Sequence, residues 1–171
     1  MSFILAKQST SGIGIASANS QPRAVLPKAT DVKEVSAERS RSLAEWCVYT
    51  IVDGKRLVHD AKVGGAVQFH EGLRWTTAKR LLQEASAANK RMPVLFGDAT
   101  ECSRLRYWGL LTKIDVQDGA TSFVVESLRE IRKRRTQELV LRNTRKNIAP
   151  NFIKPYAICL TPTFLNPRNR R

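Results

Sequence analysis

Arg132, Lys133, Arg134 and Arg135 stand side by side in a stretch, Arg129 to Lys146, that carries eight Lys or Arg residues against Glu130 and Glu138 alone. Adjacent cations of this kind suit contact with phosphates. An Arg fork meets two phosphate oxygens at once, and such contacts hold a polyanion without reading its sequence. Arg142, Arg145 and Lys146 continue the run, Arg104 and Arg106 precede it, and Arg168, Arg170 and Arg171 close the chain. The candidate backbone contacts are Arg104, Arg106, Arg132, Lys133, Arg134, Arg135, Arg142, Arg145 and Lys146. A solvated charge run is the competing reading.

Arg104 and Arg106 lead directly into Tyr107 and Trp108. Charge interleaved with aromatics suits a single strand or an extruded base. Strand alternation puts Trp108 on the side of Ile114 and Val116, so it is either core or a stacking surface. Trp75, among Arg74, Thr76 and Lys79, has a more exposed setting for a ligand contact, and Trp46 reads as packing. Asp98 follows a glycine at a strand end. Its carboxylate either accepts from a base amino group or caps a turn.

Other chemistries find less footing. His59 and His70 are the only histidines, and neither has metal-ligand spacing. His70 and Cys102 lack a third, orienting group for nucleophilic catalysis. Asp98, Glu101, Lys113 and Glu126 are conceivable members of a carboxylate nuclease centre. No catalytic residue, metal ligand or cofactor is assigned, and a nuclease is the enzyme class left open. Gly12-Ile13-Gly14 lacks the third glycine of a dinucleotide loop. Cys47, Cys102 and Cys159 form no CxxC pair; they read as small buried hydrophobes, and reduced thiols fit a cytoplasmic protein.

Composition sets the partner class. The 171 residues carry a net charge of +14, which favours nucleic acid, anionic membrane or acidic protein. Membrane is the weakest of these, because no apolar run approaches the roughly 20 residues of a spanning helix. The opening MSFILAKQ is too short for a secretory signal.

These side chains need elements to position them. Residues 1–42 are rich in Ser, Ala and Thr and read as a flexible arm, with a short strand near Phe3 to Ala6. Residues 43–165 form the domain, and 166–171 a basic tail. Cys47 to Val52, Asp53-Gly54 and Lys55 to His59 predict a hairpin, with Tyr49 opposite Val58 and Ile51 opposite Arg56. Gly64-Gly65 marks a turn. Ala78, Leu81, Leu82, Ala85 and Ala88 predict a helix over 77–89, capped by Thr76 or Thr77. Met92 to Phe96 reads as a buried strand. A polar connection, Ala99 to Arg106, leads to a second hairpin, Tyr107 to Val116 and Thr121 to Ile131, turning at Asp118-Gly119. Its register sets Val116 against Thr121, Ile114 against Phe123 and Thr112 against Val125. Arg132 to Arg135 then form a loop, Glu138 to Leu141 a strand, Ile148 to Lys154 a loop or helical turn, and Tyr156 to Leu160 a last strand. A helix over 126–142 competes with the strand reading.

The helix followed by PVLFGDA (93–99), YWGLLTKIDV (107–116), SFVVESLREI (122–131) and PYAICLTP (155–162) resembles the PUA-like superfamily, which holds the PUA, ASCH, EVE and YTH domains. The resemblance covers about residues 44–165. It implies an α+β fold, a small mixed β-barrel of about six strands with one main helix. It also implies an RNA- or DNA-binding module that grips one base, in some relatives a modified one, with Phe96, Gly97, Asp98, Tyr107 and Trp108 near the pocket and Trp75 as a further wall. The expectation is a non-enzymatic nucleic-acid-binding protein. A small nuclease of the same fold, or a basic protein docking on an acidic protein or RNA assembly, stands as the alternative.

Overall fold

A strand without polar alternation has to be covered on both faces. Met92 to Phe96 is such a run, and in the computed structural model the strand it begins, Met92–Asp98, is buried at all seven residues. The structure describes residues 41–150, 152, 154 and 156–166. The arm up to Ser40, with its proposed strand and Gly12-Ile13-Gly14, and Arg168, Arg170 and Arg171 lie outside them. In chain order the elements are β1 (Trp46–Val52), α1 (Gly54–Val63), β2 (Val67–Glu71), α2 (Thr76–Ala87), β3 (Met92–Asp98), β4 (Glu101–Gln117), β5 (Ala120–Arg135), a 3-10 turn (Thr136–Glu138), β6 (Tyr156–Leu160) and a second 3-10 turn (Thr163–Leu165).

Among the described residues the fold is α+β: one six-stranded mixed sheet in the order β2-β5-β4-β3-β1-β6, with two helices. β1 and β3 run parallel and the other pairs antiparallel. The edge strands β2 and β6 share no ladder, so the sheet is open. It is nevertheless strongly curled. β5 and β6 stand four steps apart, about 19 Å in a flat sheet at roughly 4.8 Å per step. Yet the Trp75 indole stacks on Phe123 of β5 at 4.3 Å and on Tyr156 of β6 at 4.9 Å. β1 and β2 are equally distant in strand order, and the Thr50 hydroxyl still donates to the Glu71 carboxylate at 3.2 Å.

The concave side holds one core, where Leu57 of α1 and Ala78, Leu81, Leu82 and Ala85 of α2 meet Val48, Phe69, Val94, Phe96, Phe123 and Val125. The other face carries a second core of Cys47, Tyr49, Leu95, Leu105, Ile131 and Cys159, covered by Leu139, Ile148 and Leu165. The free thiols of Cys47 and Cys159 occupy facing positions on β1 and β6, and burial pushes both up, Cys159 to about 12.

Several sequence expectations are corrected. Asp53-Gly54 opens α1 instead of turning a hairpin: Asp53, at φ −58° and ψ 123°, caps the helix by accepting from the Lys55 amide at 3.0 Å. Leu57, Val58 and Ala61 have helical spacing and all reach the first core. β2 was not anticipated. The N-cap of α2 is Trp75, without a side-chain cap, so neither Thr76 nor Thr77 plays that part. β4 starts at Glu101 within the expected connection, and β5 runs through Arg135, so Arg132 to Arg135 are strand, not loop, and no helix spans 126–142. Residues 138–141 form the end of a 3-10 turn and two isolated bridges, Val140 to Asn147 and Leu141 to Cys159. The second hairpin keeps its expected register at Val116–Thr121 and Ile114–Phe123. A bulge at Thr112 then sets Leu111, not Thr112, against Val125.

Candidate nucleic-acid interface

The long β4–β5 hairpin positions most of the charge. β2 pairs with β5 only as far as Val125, so from Glu126 onward the outer edge of β5 has no strand partner among the described residues. Two non-glycine residues of this half, Ser127 and Lys133, sit at φ 56°, where the left-handed conformation adds residues to β5 that β4 does not match. The register shifts between Trp108 and Leu110 and between Leu105 and Tyr107 fall opposite them. Bulges of this kind increase twist and re-aim side chains.

At the far end the register places Arg104 directly opposite Arg135, and Leu105 opposite Arg134. Arg104, Lys133, Arg134 and Arg135 line one cleft of about 490 Å³ with Ser103 and Glu101. Like charges facing each other across an antiparallel pair are destabilising. Glu101 reaches Arg104 at 3.8 Å and Glu138 reaches Arg134 at 3.0 Å; Lys133 and Arg135 have no ion pair among the described residues. Arg132, its side chain 87% exposed, stands 4.0 Å from Glu130. The cleft therefore holds more positive charge than its carboxylates neutralise.

A larger cleft of about 870 Å³ adjoins it, between β5 and the segment 160–166. Trp108, Arg132, Arg134, Glu138 and Phe164 are among its walls. Arg134 lies 4.8 Å over the Phe164 ring, so with Trp108 and Arg132 the walls combine guanidinium and aromatic surfaces; Arg129, outside these walls, lies 5.8 Å over Trp108.

The residues expected at a base pocket do not converge. Trp75 and Phe96 are fully buried in the concave core, and Tyr107 joins them at 8% exposure. Trp75, expected in an exposed setting, is instead enclosed between Phe123 and Tyr156. Trp108 faces the other way, against the second core and into the large cleft. It does not share a side with Ile114, because the bulge at Thr112 inverts the alternation. Asp98 caps a turn: its Oδ1 accepts from the Thr100 amide at 2.9 Å and hydroxyl at 2.8 Å, and Arg106 stands 3.8 Å from Oδ2. The Thr100 amide first, and Arg106 with it, hold this carboxyl below its usual range.

Of the basic residues, Arg106 is thus engaged by Asp98. Arg142 and Arg145 lie apart, both over the Trp46 ring, and Lys146 is exposed beside them. Sequence reasoning missed Phe164 and the 160–166 wall; the only hint was an aromatic after Pro162, just ahead of the basic tail. His70, on β2, stands level with the C-terminal end of β4 through its pairing with Ser122 and that of Ser122 with Asp115, whereas Cys102 lies at the N-terminal end of β4. Among the described residues, no three His, Cys, Asp or Glu side chains converge to hold a metal, and no helix is long and apolar enough to cross a membrane. No family model and no curated protein matches the chain.

Proposed function

We propose that the protein binds single-stranded nucleic acid along the distal half of the β4–β5 hairpin, and that its curled sheet is an open relative of the PUA-like barrel. The observation that carries this reading is a cluster of four cations that two carboxylates only partly neutralise: Arg104 opposite Arg135, with Lys133 and Arg134 in the same cleft. Such an arrangement costs stability unless an anion occupies it. Arg104, Arg132, Lys133, Arg134 and Arg135 contact phosphates, and an unpaired base enters the larger cleft to stack on Trp108. The combination of guanidinium and ring in that cleft supports a π-faced ligand over a bare polyanion. The free, facing thiols of Cys47 and Cys159 suit the reducing cytoplasm.

The test is fluorescence anisotropy with single-stranded RNA, single-stranded DNA and duplex DNA from low to physiological salt. The expected result is preferential binding of one single-stranded class that survives at physiological salt. Weak binding, blind to class and abolished by salt, would leave only a generic basic surface; an acidic protein partner would then be the reading to pursue.

A further inference from the structure

Arg142 and Arg145 form a second cluster that the distal hairpin does not use. The segment 139–148 folds back as a tight turn: the Leu141 amide donates to the Lys146 carbonyl at 2.9 Å, the Arg145 amide to Leu141 at 3.0 Å, and the Ile148 amide to Leu139 at 2.8 Å. Arg145 takes φ 56° to close it, and the Arg142 amide fastens the turn to β6 through the Ile158 carbonyl at 2.9 Å. The turn delivers two guanidiniums to one indole. Their carbons lie 5.1 Å (Arg142) and 4.8 Å (Arg145) from the Trp46 centroid, so the two charges are no farther apart than those distances laid end to end.

Stacking occupies only the faces of a guanidinium. Its five N–H donors lie in the plane and stay available for planar, bidentate bonds. No carboxylate among the described residues pairs with either arginine, whereas Arg104, Arg106, Arg132 and Arg134 each have one. Arg142 Nε is buried without an acceptor. Two guanidiniums gathered on one indole, with no carboxylate beside them among the described residues, offer an anion a doubly charged set of planar donors. A phosphodiester brings one negative charge. A phosphomonoester brings close to two at neutral pH, which matches the pair.

We propose that Arg142 and Arg145, held on Trp46, form a phosphomonoester site that takes the terminal phosphate of a bound strand. The identity of the strand rests on the nucleic-acid reading above; the anion site itself does not. The full chain is titrated with a short single strand that carries a 5′-phosphate, a 3′-phosphate or hydroxyls at both ends. One phosphorylated form binds roughly tenfold tighter than the hydroxyl form, as charge-assisted bonds allow. The preference disappears in R142Q/R145Q, while affinity for the hydroxyl-ended strand is nearly kept. R142K/R145K, which keeps charge but loses the planar fork, also loses the preference, and serves if the Gln variant is unstable. Equal affinity for all three ends in the wild type overturns the site and leaves the distal hairpin reading intact. If no strand binds, that reading falls, and inorganic phosphate decides the anion site alone. A rise in melting temperature over chloride at equal ionic strength, absent from the variants, supports it; no rise overturns it.

Discussion

Two tryptophans show what a side chain's surroundings decide. Trp75 and Trp108 both looked like candidate stacking surfaces, but the first is locked between Phe123 and Tyr156 while the second borders open space. Truncating them therefore has opposite consequences. Trp75→Ala removes the ring that bridges β5 and β6 across the curl and costs about 3–5 kcal/mol of unfolding free energy in urea. Trp108→Ala is expected to leave the fold standing and to weaken single-strand affinity by the roughly 1–3 kcal/mol of a lost base stack. Anisotropy read beside a urea melt separates the two; equal loss of stability in both variants would remove Trp108 from the binding surface. Glu71 yields a pH prediction. Its carboxyl is raised above its usual value by burial, with the Thr50 hydrogen bond opposing. A raised carboxyl pKa means that stability is fullest below the ordinary Glu range and declines as pH rises through the folded value. Glu71→Gln keeps an acceptor for Thr50 and removes the charge. It is expected to raise Tm by roughly 1–3 °C at pH 7, after solvent screening is allowed for, and to have no effect near pH 4.

At the scale of elements, the same dipeptide gives two structures. Asp118-Gly119 turns a hairpin, at φ 48° and 87°, because the strands on both sides alternate with period two. Asp53-Gly54 caps a helix because Leu57, Val58 and Ala61 follow at helical spacing. The hairpin preference of the pair was legible, and so were α2 and the Ile114–Phe123 register, which rest on a local period, and β3 and β6, which are short apolar runs bounded by Gly or Pro. Bulges are not periodic, and a single extra residue flips every side chain beyond it; the one at Thr112 turns Trp108 to the face opposite Ile114, and Arg132 to Arg135 carry no apolar alternation that would mark them as strand. Gly109 was the one trace of such irregularity in β4. A methyl there would run into Val125 Cγ1 and lie 3.0 Å from the Glu126 carbonyl, so the two strands touch where the register shifts. Gly109→Ala is expected to destabilise the protein by about 1–3 kcal/mol and to weaken binding as well, because it re-aims the distal half. Loss of stability with unchanged affinity would show that the bulge does not set the interface.

The whole molecule carries +14, and its arrangement sets stability against binding. Charge on a surface repels itself, and the register makes this local by putting Arg104 against Arg135 beside the unpaired Lys133. If these side chains served the fold, replacing them would weaken it. If they serve an anion, replacing them relieves repulsion and removes contacts. Lys133→Gln/Arg135→Gln separates the two cases with one variant. The melting temperature should rise at low salt, with the gain fading as salt screens the wild type over a Debye length of about 10 Å at 0.1 M. Single-strand affinity should fall, and the slope of log affinity against log salt should flatten by about 1.4, the value for two lost phosphate contacts on a single strand. A lower melting temperature with an unchanged slope would place the two residues in the fold and move the phosphate contacts elsewhere, with the arginines on Trp46 next in line. A flatter slope with a higher melting temperature would mean that the hairpin's facing arginines are kept at the expense of stability because a phosphate backbone sits between them.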